Sequence, residues 1–376
     1  MTNTTKTVLG IIVLVLIIWG VSALVKSPES NTIGPIKIGF IGPLAGDLAN
    51  MGKNAQAAVQ IASDEINATG GILGRQIEVV YEDDQCAGAQ AANAISKLIN
   101  TDKVVAVLGG ACSGATLAAA PIAEQNKIPE LSYCSTNPTI SKAGDYIFRN
   151  VPSDFFQANF AAKFLVDKGM KNVALLYTKD DYGQGLDNAF KDALTKTGGT
   201  LVAEESFDPT SKDLRPQLLK IKVAKPQALY FIGYTAPTIA GLKQAKELGL
   251  TVPALGADAW DDTKIWSELG TLGEGAMYTV VGTNSSNEFK QKMMAKLGAP
   301  DLIYCSNYAY DGLNILAEAI NKAGSSEGSK IKDALYKIDY KGGVSSEEIK
   351  FDVNGDPTSA NYSVKVIKNG KATDMK

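Results

Sequence analysis

Short apolar runs alternate with longer amphipathic stretches along most of this chain. Runs such as IKIGFIGP (36–43) and NVALLYT (172–178) are apolar nearly throughout, which is typical of strands buried on both faces. Between them, apolar residues recur every three or four positions, as in 54–71, where Gly70 and Gly71 close the pattern. Strands separated by helices of this length predict parallel sheets and an α/β fold.

The alternation starts near residue 36 and restarts once, near residue 155. The predicted strands are 36–43, 76–84, 103–110, 128–133 and 146–150, and then 172–178, 200–207, 228–234 and 252–258. One open sheet does not hold so many strands, so the pattern predicts two doubly wound domains of similar build. The C-terminal third is predicted to be helical to about Leu335 and to end in two strands around an Asn354-Gly355 turn.

Composition narrows the function classes. The chain has 376 residues, 37 basic and 40 acidic, with a net charge of −3 and no basic patch, so we expect no nucleic-acid partner. It has no histidine, which excludes Ser-His-Asp and Cys-His catalysis. The four cysteines form no CxxC pair, so no zinc site is expected. Catalysis by lysine or carboxylate groups stays open as an alternative, but without histidine it has lost its commonest partner. We predict a protein that is not an enzyme, with no catalytic residue, metal or cofactor.

The N-terminus predicts export. Residues 8–25 carry no charge and are just long enough to span a bilayer as a helix. Small residues around Ser22 also fit the cleavage site of a signal peptide, so 1–25 is a membrane anchor or a signal peptide. Residues 26–35 are a polar linker. An even number of cysteines in an exported chain is compatible with disulfides.

Two turns rich in hydroxyl groups follow neighbouring predicted strands. In GGACSGAT, Ser113 lies where a strand ends and a helix begins, but the flanking Ala111 and Ala115 rule out a GxSxG nucleophile motif. Ser113 is then the N-cap of a helix that binds a carboxylate, or a plain N-cap without a ligand. The next turn, YCSTNP, carries Ser135 and Thr136, and ligands of open α/β sheets bind at such strand ends.

Strand ends in the second half carry aromatic and acidic side chains. They place Tyr182, Tyr234, Asp258 and Trp260 at the ends of three predicted strands. A carboxylate facing the hydroxyl-rich turns across a cleft would suit an ammonium group, and the aromatic rings would wall an apolar side chain. For Asp258, a helix cap is locally at least as good an interpretation.

Taken together, these motifs resemble the solute-binding proteins of ABC transporters for branched-chain amino acids, the leucine/isoleucine/valine-binding family. The resemblance covers about 36–370 and rests on IKIGFIGPLAGDLANMG, INATGGILGRQIEVVYEDDQC, VVAVLGGACSGAT, ISKAGDYIFRNVPSD, VALLYTKDDYGQGL, DLRPQLLKIK and ALYFIGY. It implies the type I periplasmic-binding-protein fold, with two Rossmann-like lobes joined by a three-stranded-crossover hinge. We expect lobe I at 36–150 and 282–340 and lobe II at 151–281 and 341–376.

The resemblance also implies roles for single residues. Ser113 matches the family's carboxylate-binding serine, and CSTNP matches the second carboxylate-binding turn, through the backbone of Cys134 or Ser135 and through Thr136. Tyr182 matches a tyrosine beside the ligand's amine.

Further matches concern residues expected on the other side of the cleft, and the cysteines. Asp258 falls where the family has an acidic ammonium partner, commonly glutamate, and Tyr234 matches an aromatic residue near the cleft. Met51 and Trp260 differ from the residues that the family usually has at these pocket positions, and so they bear on which ligand side chain is accepted. Cys86 and Cys112 match a family disulfide, whereas Cys134 and Cys305 have no counterpart and form a second bridge or stay free.

The function implied is capture of an amino acid, branched-chain or otherwise apolar, by hinge closure of the lobes. The loaded protein, expected to be a monomer outside the cytoplasm and tethered through 8–25, would deliver its ligand to an ABC transporter permease. A sensing ectodomain of the same fold for amino acids, small carboxylates or amides is the alternative. Short peptides and aromatic acids remain open as ligands, because one fold hosts many functions.

Overall fold

The computed structural model describes residues 34–298 and 304–375. The predicted anchor or signal peptide at 1–25 and most of the linker at 26–35 lie outside these residues. Within the described part of the chain, no helix has both the length and the apolar character needed to cross a membrane.

Two separate sheets organise the described residues. The strands are β1 (Ile36–Gly42), β2 (Ile77–Asp83), β3 (Ala106–Leu108), β4 (Glu130–Ser132), β5 (Ile147–Arg149), β6 (Asn172–Thr178), β7 (Thr200–Phe207), β8 (Ala228–Ile232), β9 (Ala254–Gly256), β10 (Met277–Val281), β11 (Tyr340–Lys341), β12 (Glu348–Ile349), β13 (Tyr362–Lys368) and β14 (Lys371–Asp374). The first sheet has the order β2-β1-β3-β4-β5 and the second the order β14-β13-β10-β9-β8-β6-β7, while β11 and β12 pair with each other.

Helices connect and cover these strands. They are α1 (Ala49–Ala68), α2 (Gly88–Lys97), α3 (Ser113–Asn126), α4 (Asp154–Asp167), α5 (Asp181–Lys196), α6 (Arg215–Val223), α7 (Thr235–Glu247), α8 (Thr263–Leu269), α9 (Asn287–Leu297), α10 (Tyr304–Ala323) and α11 (Gly328–Leu335). Helix α10 packs against α1 beside the first sheet, and α4 packs against α5 beside the second. Strands β3, β8 and β10 are buried along their whole length, as expected when helices cover both faces of a sheet.

Both sheets reverse their strand order at an equivalent place. In the first sheet β1 lies between β2 and β3, and in the second β6 lies between β7 and β8, with parallel pairing at each of these contacts. Ligands of doubly wound sheets bind outside the carboxyl ends of the strands at such a switch point. The two doubly wound lobes predicted from the sequence are confirmed, whereas the lobe boundaries stay a prediction.

The C-terminal third differs from the prediction in two respects. Strand β10 falls in a part that was expected to be helical. Its five consecutive buried residues have no helical period and are typical of a strand that is covered on both faces. The Asn354-Gly355 turn exists, but it closes only a single bridge between Phe351 and Pro357. The long strand after it, β13, pairs antiparallel with β10 and β14 and so completes the second sheet.

Candidate functional site

A cavity lies between the two lobes, at the carboxyl ends of strands from both sheets. Its empty space is about 550 Å³, counting the part open to solvent. The described residues that line it are Asp47, Leu48, Asn50, Met51, Ala111, Ser113, Cys134, Tyr182, Tyr234, Thr235, Asp258, Ala259, Asp261, Asp262 and Cys305. Six of the nine predicted ligand-binding residues are therefore brought together: Met51, Ser113, Cys134, Tyr182, Tyr234 and Asp258.

On the lobe I side, the cavity meets the N-terminus of α3. The expectation that Ser113 is the N-cap is wrong, because Cys112 holds that position and Ser113 is the first residue of the helix. The Ser113 hydroxyl instead accepts a hydrogen bond from the backbone N–H of Asn137 at 3.3 Å. This leaves a hydroxyl and a helix N-terminus side by side at the cavity wall, an arrangement that favours a carboxylate.

The second hydroxyl-rich turn meets the cavity only through Cys134. Ser135 and Thr136 are buried and are not among the lining residues. The Ser135 hydroxyl lies 2.7 Å from that of Thr116 and donates to the carbonyl oxygen of Gly110, so it braces the two turns against each other. Ligand contacts of Ser135 and Thr136 stay a prediction.

Two disulfides fasten these turns to the rest of lobe I. Cys86 is joined to Cys112, the residue before Ser113, and Cys134 is joined to Cys305 near the start of α10. The Cα atoms are 5.4 Å apart in both pairs. Of the two possibilities for Cys134 and Cys305, the structure shows them paired, and both residues line the cavity.

On the lobe II side, two tyrosines and an aspartate form the wall. Asp180 caps α5 by accepting from the backbone N–H of Gly183 at 2.9 Å, which fixes the first turn of the helix and with it Tyr182. The Tyr182 hydroxyl donates to Oδ1 of Asp258 at 2.7 Å. The ring of Tyr234 lies 5.3 Å from that of Tyr182, so the aromatic rings form a continuous apolar surface beside the carboxylate.

Asp258 lies in a short helical turn after β9 and is only 3% exposed. A second carboxyl, Asp154, lies fully buried close enough to interact with it electrostatically. Burial and then the charge of Asp258 raise the pKa of Asp154 well above its usual range. The protonated form of Asp154 is therefore favoured, and two adjacent negative charges are avoided.

Further carboxylates in the lining were not predicted as site residues. Asp262 caps α8 and accepts from the Thr235 hydroxyl at 2.6 Å, and Asp261 accepts from the Tyr278 hydroxyl at 2.7 Å. The letters DAWDD (258–262) indicated only a strand end, because nothing in them distinguishes a cap from a pocket residue. Among the described residues, no cluster of cysteine and acidic side chains is arranged to hold a metal ion.

The structure does not bring Trp260 to the cavity. Its side chain is fully buried, and its ring lies 5.5 Å from that of Phe231 and 5.9 Å from that of Trp266. Gly256 makes room for it, because any Cβ at Gly256 would overlap the indole ring. Placing Trp260 among the ligand contacts is therefore not supported by the structure: the tryptophan is a core residue that supports the turn carrying Asp258.

Comparison with known proteins decides the family. Residues 35–371 match the family model of the periplasmic binding proteins. The chain belongs to the periplasmic binding protein family. It is thus a solute-binding protein, and its place is outside the cytoplasm.

Individual relatives agree with this family. The leucine-, isoleucine-, valine-, threonine- and alanine-binding protein of Pseudomonas aeruginosa is 29% identical over 335 residues, which is 88% of this chain and 89% of the relative. The crystal structure of the leucine-binding protein LivK from Thermotoga maritima is 30% identical, with a TM-score of 0.84, covering 91% of this chain and 98% of that one. LivJ from Streptococcus pneumoniae, a branched-chain amino acid transporter substrate-binding protein solved with isoleucine, is 29% identical, with a TM-score of 0.80 and coverage of 90% and 97%.

Proposed function

We propose that this protein binds a branched-chain or other apolar amino acid in the cavity between its lobes. The single observation that carries the proposal is that predicted residues from both lobes line one cavity. Ser113 and the N-terminus of α3 would receive the carboxylate, Asp258 with Tyr182 the ammonium group, and Tyr234 with Met51 the apolar side chain. Relatives solved with isoleucine and with leucine support this ligand class.

The charges of the lining favour a ligand with a cationic group. Asp47, Asp258, Asp261 and Asp262 contribute carboxylates, whereas no lysine or arginine is among the described lining residues. The ligand carboxylate would therefore be held by neutral donors, the Ser113 hydroxyl and backbone N–H groups. The ammonium would be held by Asp258, since buried charges in proteins are stable only when paired.

Capture would proceed by hinge closure. An amino acid would dock on lobe I by its carboxylate, and lobe II would then bring Tyr182 and Asp258 to its ammonium group. The ligand stabilises the closed state only through the contacts that it makes better there. The closed protein would be recognised by an ABC transporter permease, and residues 8–25 would tether the protein to the membrane. We propose that the ligand is released unchanged, because a chain without histidine has no Ser-His or Cys-His pair to attack it.

Thermal unfolding of the full chain against a panel of ligands tests this function. The panel contains the common amino acids and 4-methylpentanoate, which is leucine without its amine. A ligand that binds only the folded protein raises the melting temperature. We expect a shift with leucine, isoleucine or valine. A shift with amine-free carboxylates alone would overturn the role of Asp258, and no shift with any amino acid would overturn the proposed ligand class and favour a sensor of another solute.

A further inference from the structure

Asn137 joins elements of both lobes beside the ligand cavity. Its backbone N–H donates to the Ser113 hydroxyl at 3.3 Å, and its carbonyl oxygen accepts from Arg149 at 2.8 Å. Its side-chain oxygen accepts from the backbone N–H of Thr139 at 2.7 Å. Its side-chain Nδ2 donates across to lobe II, to the carbonyl oxygen of Asp181 in the first turn of α5. One residue thus contacts the carboxylate end of the site and the opposite lobe.

A buried ion pair fixes the position of the Asn137 backbone. Arg149, which is fully buried, binds both carboxylate oxygens of Asp356, at 2.7 and 3.0 Å, and also the Ser141 hydroxyl at 2.8 Å. A two-point contact of this kind restricts the guanidinium to one orientation. The carbonyl of Asn137, bound to the same guanidinium, is therefore held in place, and so is the direction of its side chain.

On lobe II, a glycine lies opposite the Asn137 side chain. Gly185 lies inside α5, one turn after Asp181, and a Cβ there would lie 2.6 Å from Nδ2 and 2.7 Å from Cγ of Asn137. No real Cβ contact is that short, so any larger residue would push the amide away from Asp181. Glycine is also a poorer helix former than alanine in a helix interior. The closest approach of the lobes at this seam, defined as Asn137, Asp181 and Gly185, therefore depends on the missing side chain.

We infer that Asn137 is a positioning residue that holds the lobes closed and keeps Ser113 in place while a ligand is bound. The inference rests on the proposed function in one respect, because it assumes that opening of the lobes limits ligand release. The seam exists only when the lobes are together, so it slows opening without affecting the encounter with the ligand. Asn137 would thus set the dissociation rate of the ligand without touching the ligand itself.

Two substitutions separate this role from a loss of folding. Asn137→Asp keeps the oxygen that accepts from Thr139, but it removes the Nδ2 donor and sets a carboxylate against the Asp181 carbonyl oxygen. Gly185→Ala keeps every hydrogen-bonding group and improves the helix, so it should leave the ligand-free protein at least as stable as the parent. Thr195→Ala is the matched control, since it places alanine at an exposed position of α5, far from the seam.

The first measurement is stopped-flow binding of leucine to the full-length protein. Loss of one hydrogen bond corresponds to roughly a five- to tenfold change in an equilibrium constant. We expect the dissociation rate to rise about tenfold in Asn137→Asp and in Gly185→Ala, with the association rate unchanged. Thr195→Ala should leave both rates unchanged. Unchanged dissociation rates in both seam variants would overturn the inference.

The second measurement compares the same variants with and without ligand and keeps the test separate from the proposed function. Hydrogen exchange is followed in the peptides that contain 137–142 and 181–186. Without leucine we expect parental exchange in every variant, because the seam is not formed while the lobes are apart. With saturating leucine we expect slower exchange in the parent and in Thr195→Ala, and less slowing in the two seam variants. If leucine does not bind the parent, the proposed ligand class is wrong, and the comparison is made with the panel ligand that raises the melting temperature. Equal protection by the ligand in parent and seam variants would overturn the seam.

Discussion

Replacing Asp258 by asparagine isolates the charge that the account assigns to ammonium binding. The amide of Asp258→Asn would still offer an oxygen to the Tyr182 hydroxyl, which lies 2.7 Å from Oδ1 of Asp258, so the local geometry is kept and only the charge is lost. Asp258 is 3% exposed, so water cannot replace the missing charge. A hydrogen bond to a charged group contributes about 1.5–3 kcal/mol, and breaking a buried ion pair costs about 3–5 kcal/mol.

We therefore expect Asp258→Asn to weaken leucine binding by about 2 kcal/mol or more, which is roughly thirtyfold in Kd. Calorimetric titration measures the affinity of parent and variant for leucine and for 4-methylpentanoate. The amine-free acid should bind the variant no more weakly than the parent, because it makes no use of the charge. Tyr182→Phe is the control for the neutral hydrogen bond, and its effect on leucine should be smaller, about 1 kcal/mol.

Two outcomes would refute this reasoning. Unchanged leucine affinity in Asp258→Asn would show that the ammonium group is bound elsewhere. An equal loss for leucine and for 4-methylpentanoate would show that the substitution disturbs the cavity as a whole rather than one charge. The melting temperature of the ligand-free variant distinguishes the second outcome from general unfolding.

Three further predictions concern other parts of the site and its support. Ser113→Ala should weaken leucine and 4-methylpentanoate alike, by about tenfold in calorimetry, because both ligands lose a charged hydrogen bond of about 1.5 kcal/mol, and a loss confined to leucine would contradict this. Serine at both Cys134 and Cys305 should lower the free energy of unfolding by about 2–5 kcal/mol in denaturant titration, and an unchanged value would contradict a structural bridge. Burial raises the pKa of Asp84 to about 6, so its contribution to folding stability, about 3 kcal/mol, should be present below about pH 4 and lost as pH rises to about 6. Asp84→Asn should remove this contribution from the pH dependence of the unfolding free energy, and an unchanged pH dependence in the variant would contradict the prediction.

Much of the fold follows from the pattern of apolar residues. Strands such as β6 and β7 coincide with their predicted ranges, because a buried parallel strand between two amphipathic helices gives the strongest short-range pattern. Strand β10 was missed because its neighbours in the chain are a short turn and a loop, so no flanking helical period marks it. The partner of β13 could not be predicted either, since pairing depends on which sheet edge is free.

The site is predictable where a residue follows a strand. Ser113, Tyr182 and Asp258 each lie just beyond the carboxyl end of a strand, and the order of strands brings them to one cavity. Trp260 has the same place in the sequence, but the turn after β9 directs it into the core, and only the packing around Gly256 shows this.

Asn137 was missed for a different reason. Its N-cap role could be expected from the Asn-Pro step that precedes a helical turn, but its bond to Asp181 joins residues 44 positions apart. No local pattern reports a contact between lobes. The Cys134–Cys305 bridge joins residues 171 positions apart in the sequence, so no local pattern predicts it either.

The crystal structure of the full chain with leucine tests the central claim most directly. We expect leucine in the cavity between the lobes, with its carboxylate within hydrogen-bond distance of the Ser113 hydroxyl and the first N–H groups of α3. Its ammonium group should lie against the Asp258 carboxylate and its side chain against the rings of Tyr182 and Tyr234. Leucine in the reverse orientation, or a cavity that stays empty at saturating leucine, would contradict the account.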